Sequence, residues 1–394
     1  MDKKIFIPIT ILIVFVIIAI ATCSGSGKVV VDYVKVPPVK YSMNTMELKV
    51  YVENSGSMDA YMCPGSNLKD AVFDYVSDLR KYAHSCTLYY INSQVIPYKG
   101  NLNSYIKDLD PVAFAKAGGD RGNTDLRKIL SDVMQVHKSN TVSVLVSDCI
   151  LDIPESATDF FGNCQVSIKN IFNEALAKNP NLGVVIMKLQ SKFDGYWYCG
   201  SNSEKLSNVK RPYYIWVIGD KKYLSELNKK VPVTNIIGGI QEYCAYSGSM
   251  AIPFEIGKKK YVINHTGKIT VQILADLNSS LQSEMLIRNI SQYKTSTPAQ
   301  SYIISVDKIT EKGSPYSYVL NVEINNPSII KTETITFSYP YLPSWVSETN
   351  DSTGLDLKKN IHKTTGIMPL IKGVAEAYKS SIEFGSITFN LKNK

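Results

Sequence analysis

At 394 residues the chain is too long for one ordinary domain, and its length points to two or three. With 44% hydrophobic and 20% charged residues it can bury sizeable cores, which excludes a disordered chain. The formal charge of +8 comes from scattered lysines, and its densest run, Lys258, Lys259 and Lys260, lies in a strand-like stretch and reads as a solvated face, so nucleic-acid binding is not indicated.

Lys3 and Lys4 precede IFIPITILIVFVIIAIAT, an uncharged apolar run over residues 5–22 that is just long enough to cross a hydrocarbon core. The run ends at Cys23, followed by SGSG, which resembles a bacterial lipoprotein signal whose cysteine is lipidated; Thr22 departs from the small residue usual there. Two readings of residues 1–23 stand: a signal with lipidated Cys23, or an uncleaved single-pass anchor. Both place the body in the cell envelope, membrane-anchored and extracytoplasmic, because the lysines stay on the inner side. Residues 24–45, with Pro37 and Pro38, read as an extended spacer. Six further cysteines in an oxidising space allow disulfides, with buried free thiols as the alternative. No CxxC pair occurs and the four histidines are scattered, so a zinc site is not indicated.

MELKVYVEN (46–54) predicts a strand, and residues 67–83 predict a helix with Leu68, Val72, Val76 and Leu79 on one stripe. Residues 86–98 read as one or two strands, LNSYIKDL as a short helix, 124–138 as a helix capped by Thr124, and TVSVLVSD (141–148) as a strand. A helix at 165–179, strands at 182–190 and 212–219, and a helix at KKYLSELNKKV continue the alternation. Short apolar strands alternating with amphipathic helices predict an α/β, doubly wound, mostly parallel sheet over residues 46–245. The long connection 191–211 reads as a protruding hairpin carrying Phe193, Tyr196, Trp197 and Tyr198.

Three loops of this pattern carry oxygen ligands: ENSGSM after the first strand, GGDRGNTDL before a helix, and VLVSDC after another strand. In open α/β sheets such strand ends gather ligands. Together they resemble the von Willebrand factor type A family, over residues 46–231, whose metal-ion-dependent adhesion site uses an Asp-x-Ser-x-Ser loop, a Thr and an Asp. The matching positions are Glu53, Ser55, Ser57, Thr124 and Asp148. The resemblance implies Mg²⁺ or Mn²⁺ held largely by hydroxyls and water, with one coordination position open to an acidic group of a partner. Glu53 stands where the family has Asp, and Cys149 where it often has Gly. A second SGSM, at 247–250, has no acidic residue two places before it and reads as a linker turn.

From residue 246 to 394 the helices thin out and strand-like segments follow one another, predicting a β-rich, immunoglobulin-like sandwich interrupted by a helix in GIMPLIKGVAEAYKSS. No G-x-S-x-G elbow surrounds Ser55 or Ser57, and no histidine falls at a strand end in the α/β part, so the reading is non-enzymatic. The expected activity is capture of a protein or surface polymer bearing an acidic group. The alternative is a metal-independent structural or assembly component of the envelope that uses the aromatic hairpin.

Overall fold

The computed structural model describes residues 27–38, 41–122, 124–153, 159–199, 202–311, 313–355, 357–378 and 383–393. The expected anchor, with Cys23, lies outside them. Among the described residues no helix is long and apolar enough to cross a membrane.

The first strand, β1 (Lys28–Asp32), belongs to the sandwich described below. The α/β half begins with β2 (Glu47–Glu53), β3 (Ser85–Ile91), β4 (Val95–Pro97), β5 (Thr141–Ser147), β6 (Leu182–Cys199), β7 (Asn202–Asp220) and β8 (Glu242–Tyr246). They form one sheet in the order β4-β3-β2-β5-β7-β6-β8. Apolar residues occur at nearly every position of β2 because both faces are covered: Leu48, Val50 and Val52 enter one core and Tyr51 the other. Helix α1 (Leu68–Arg80) packs on the first face through the predicted stripe of Leu68, Val72, Val76 and Leu79. Helices α2 (Leu126–Gln135) and α3 (Phe160–Lys178) cover the second, and α4 (Lys221–Lys230) returns Leu224 and Leu227 to the first.

The expected doubly wound, mostly parallel sheet is overturned by the strand directions. Only β3, β2 and β5 are contiguous parallel neighbours; β4, β7 and β8 each pair antiparallel. Residues 182–190 and 212–219, read as separate parallel strands, are the two arms of one long hairpin, paired from Leu182↔Asp220 to Cys199↔Asn202. The returning arm inserts between β5 and β6. A strand buried on both faces is a continuous apolar run whichever way its neighbours point, so its hydrophobicity carries no directional signal. The fold class is a mixed, strand-rich α/β sheet joined to antiparallel sheets.

The remaining strands are β9 (Phe254–Ile256), β10 (Lys260–Val262), β11 (Lys268–Ala275), β12 (Tyr293–Thr295), β13 (Ser301–Lys308), β14 (Tyr318–Asn325), β15 (Thr332–Ser338), the short parallel pair β16 (Asn350–Asp351) and β17 (Thr364–Thr365), and β18 (Glu383–Asn393). Two antiparallel sheets, β10-β1-β18-β15-β12 and β13-β14-β11-β9, enclose one core, in which Val29, Val31, Ile387 and Phe389 of the first sheet join Val271, Ile273, Leu320 and Val322 of the second. Residues 24–45, read as a spacer, thus include a strand placed between β10 and β18.

Helix α5 (Ile367–Ala377) leaves the sandwich and packs on α3, where Gly373 lies so close to the Gln165 carbonyl that a Cβ would come within 2.6 Å. Gln165 donates to Glu376 at 2.7 Å across the same contact. One apolar core therefore runs through both halves. All six described cysteines are free thiols; Cys149, Cys164, Cys199 and Cys244 are buried among apolar side chains. The second SGSM follows β8, where Met250 donates its N–H to the Phe384 carbonyl at 2.6 Å, joining the α/β half to the start of β18.

Candidate functional site

β2 and β5 run parallel with Val52 opposite Val146, so Glu53 and the Ser147–Asp148 pair leave the sheet side by side. The loop after β2 turns into a short 3-10 helix, Ser57–Met62, and the loop before α2 folds across it. All five predicted residues, Glu53, Ser55, Ser57, Thr124 and Asp148, are brought to one cavity of about 300 Å³. Each is at most 7% exposed.

Most of the polar atoms in the cavity are paired with one another or with the backbone. Glu53 accepts a hydrogen bond from the Ser147 hydroxyl, whose oxygen in turn accepts the Cys149 N–H at 2.8 Å. Asp148 Oδ1 accepts the Ile150 N–H at 3.3 Å. The Ser55 and Ser57 hydroxyl oxygens lie 3.2 Å apart. Two oxygens on the cavity wall, Asp148 Oδ2 and Thr124 Oγ1, are buried and make no hydrogen bond among the described residues. Orphaned buried acceptors are costly and call for a ligand, an ion or water.

The expected Thr124 cap is corrected here. Asp125 caps α2, accepting the N–H groups of Arg127 at 3.0 Å and Lys128 at 3.4 Å. A carboxylate one residue later does the capping, which leaves the Thr124 hydroxyl in the cavity.

Burial, and next to it the charge of Asp148, pushes the Glu53 carboxyl up to about 8, against the Ser147 hydrogen bond. Burial pushes the Asp148 carboxyl up as well. Two carboxylates sharing a buried wall disfavour double ionisation, so the pair retains a proton at neutral pH. A hard cation fits this donor set: the ligands are all oxygens, two lack partners, and a positive charge relieves the repulsion between Glu53 and Asp148. Among the described residues no three His, Cys, Asp or Glu side chains gather as a metal cluster, so an ion here would rest on the three hydroxyls as much as on the two carboxylates.

Cys149 holds φ at 55°, the left-handed region that favours glycine. A backbone turned this way lets the Ile150 N–H reach Asp148 Oδ1, and the thiol points into the apolar core rather than into the cavity.

Arg121, which carries no signal in the sequence beyond its glycine-rich loop, clamps the two loops together. Its Nε donates to the Asn54 carbonyl at 2.8 Å and Nη2 to the Ser55 carbonyl at 3.3 Å, while its own carbonyl accepts the Gly56 N–H at 3.0 Å. Asp59 closes the clamp by an ion pair with the guanidinium. Asn54, fully buried, adds a second tie: it donates to the Phe114 carbonyl at 3.3 Å and accepts from Asn92 at 3.1 Å. The β6–β7 hairpin brings Tyr198 to the rim, its ring 3.4 Å from where a Cβ on Gly56 would stand. Tyr196 and Tyr198 stack with centroids 6.1 Å apart and face solvent, while Trp197 between them is buried on the opposite side.

The chain matches no family model, and no curated protein is similar to it.

Proposed function

We propose that the chain is a membrane-tethered, extracytoplasmic binding protein that captures an acidic group of a protein or surface polymer through Mg²⁺ or Mn²⁺ at the β2–β5 edge. Ser55, Ser57 and Thr124 would hold the ion directly, with Glu53 and Asp148 acting directly or through water, as the resemblance to the type A adhesion site implies. The ion would supply electrostatic attraction for the incoming carboxylate; the chain's own residues orient it and exclude bulk water. The observation that carries the reading is the convergence of five predicted oxygen-bearing residues, two with unpartnered buried oxygens, on one cavity. Calorimetric titration of the protein with Mn²⁺ tests it. The Ser55→Ala/Ser57→Ala variant should lose measurable binding, and an unchanged titration would refute the site.

A second reading is supported by the exposed, stacked Tyr196 and Tyr198: a metal-independent assembly component that uses the hairpin tip as its contact. Aromatic side chains of this kind are enriched at binding surfaces. Partner capture from envelope extract that persists in chelator but is lost in Tyr196→Ser/Tyr198→Ser would favour it.

A further inference from the structure

The two ends of the sandwich differ in chemistry and in what they adjoin. At one end the α/β half sits on it: Lys229 pairs with Asp276, just beyond the end of β11, at 2.9 Å, and Gln282 donates to the Ala245 carbonyl at 2.9 Å. The start of β18 is joined to the same half through Met250 and Phe384.

The opposite end is defined by the strand registers. β1 begins there with Lys28 opposite Val262, β18 finishes there with Asn393 opposite Val29, and β11 starts there with Lys268 opposite Asn325. Two loops close it: Asn326 donates its N–H to the Gly267 carbonyl at 3.0 Å, and Asn393 donates to the Ser328 carbonyl at 3.1 Å. Val262 (58% exposed) and Ile329 (68% exposed) project from this end into solvent. Lys28, His265 and Lys331 are exposed beside them, and neither lysine is ion-paired with a described residue. Glu323, on β14 near this end, is already paired with Lys268 at 2.6 Å. An end that combines uncompensated lysines with protruding aliphatic side chains has the composition of a membrane-surface contact.

The chain's own connectivity selects the occupant. Only residues 23–27 separate the apolar run, which ends at Thr22, from Lys28. Whatever their conformation, five residues span at most about 18 Å. Lipidation at Cys23 or an uncleaved span to Thr22 sets the same short limit.

We propose that this end of the sandwich docks on the anionic surface of the bilayer that holds the anchor, with Lys28 and Lys331 among the headgroups and Val262 and Ile329 at the acyl boundary. The proposal rests on the reading of residues 5–22 as the anchor. The sandwich then acts as a stalk: the eight residues of β11 alone rise roughly 25 Å, and the α/β half is carried at the far end.

The full chain is reconstituted into nanodiscs of phosphatidylcholine alone, nanodiscs containing phosphatidylglycerol, and detergent micelles, and amide hydrogen exchange is compared. Segments 262–268 and 326–331 should exchange several-fold more slowly in the anionic discs, with the protection lost at high salt and in Lys28→Glu/Ile329→Ser/Lys331→Glu. Exchange in the α/β half should be the same in all three settings. Equal exchange everywhere would overturn the docking, as would protection that appears only in discs holding two copies of the chain, which would mark a contact between copies. Alkaline carbonate extraction of native membranes separates the two possible failures. A chain that washes off the membrane removes the anchor and the docking together, whereas a retained chain with an unprotected end overturns the docking alone.

Discussion

Replacing Glu53 with glutamine removes a buried ionisable group without changing the side chain's shape. The folded protein holds this carboxyl at about 8, against 4.5 for an exposed glutamate. Between those values the unfolded chain has released the proton and the folded chain has kept it. Wild-type stability therefore falls as pH rises through this window, by about 1.4 kcal/mol per pH unit, until the folded carboxyl ionises near 8. From pH 4.5 to 7 the loss comes to roughly 3 kcal/mol. Glu53→Gln carries no such term, and its amide can still hydrogen-bond to the Ser147 hydroxyl. In chelator, the variant should match the wild type near pH 4.5 and exceed it increasingly up to pH 8. Urea unfolding of the full chain in detergent, followed by tryptophan fluorescence at several pH values, measures the difference directly. Parallel stability curves, or a wild type that gains on the variant with rising pH, would refute the assignment of Glu53 and Asp148 as a proton-sharing pair. Adding Mg²⁺ at pH 8 should restore the wild type more than the variant, since ligand that binds only the folded state stabilises by mass action.

Cys149→Gly should be more stable than Cys149→Ala by about 1 kcal/mol, the reverse of the usual order, because alanine keeps the left-handed strain that glycine lacks; thermal melts of the two variants decide it. Arg121→Met should lower Mn²⁺ affinity by about 10- to 100-fold, the cost typical of losing an outer support of a metal site, with little change in the circular dichroism spectrum; unchanged affinity would show that the loop holds itself. Glu333, a buried carboxylate of the sandwich, accepts the Ser296 N–H at 2.8 Å and hydroxyl at 2.7 Å, the Thr334 N–H at 3.1 Å and the Thr297 hydroxyl. Burial opposes its ionisation, but hydrogen bonds from Ser301, Thr297 and Ser296 outweigh it and hold its carboxyl below the usual range. Its contribution is present above the unfolded carboxyl's pKa and is lost as pH falls through the lower folded value. Glu333→Gln should cost about 1.5 to 3 kcal/mol at pH 7, with the difference shrinking in acid; melts at pH 7 and pH 3.5 test both.

The parts of this chain legible in its sequence were those specified locally. The α1 stripe follows 3.6-residue spacing, and the residues of the candidate site stand at loop positions that any reader of strand ends would mark. What escaped depends on distant partners. Nothing in PYYIWVIG says that it runs antiparallel to TVSVLVSD, because the apolar run is symmetric and the turn that reverses the chain lies far from the paired core. Thr124 and Asp125 are both good caps, and only the backbone at that loop selects the second. Arg121 finds Asp59 sixty-two positions away in sequence, a contact with no local pattern. The two prolines after VVVDYVKV make it read as a spacer, and the partners that make it a strand lie at 260–262 and 390–393.

That last pairing orders the chain's birth. Among the described strands β1 is the first to emerge during synthesis, and its neighbour β18 is the last. Until β18 is made, β1 presents an unsatisfied edge, while the α/β half can collapse ahead of it through its own sheet. A chain cut short before β18 would leave both β1 and β15 without the strand that lies between them. Synthesis of β18 is thereby built into the fold as a condition for closing this sheet, so a product cut before it would present open sheet edges, the feature that draws aggregation and proteolysis.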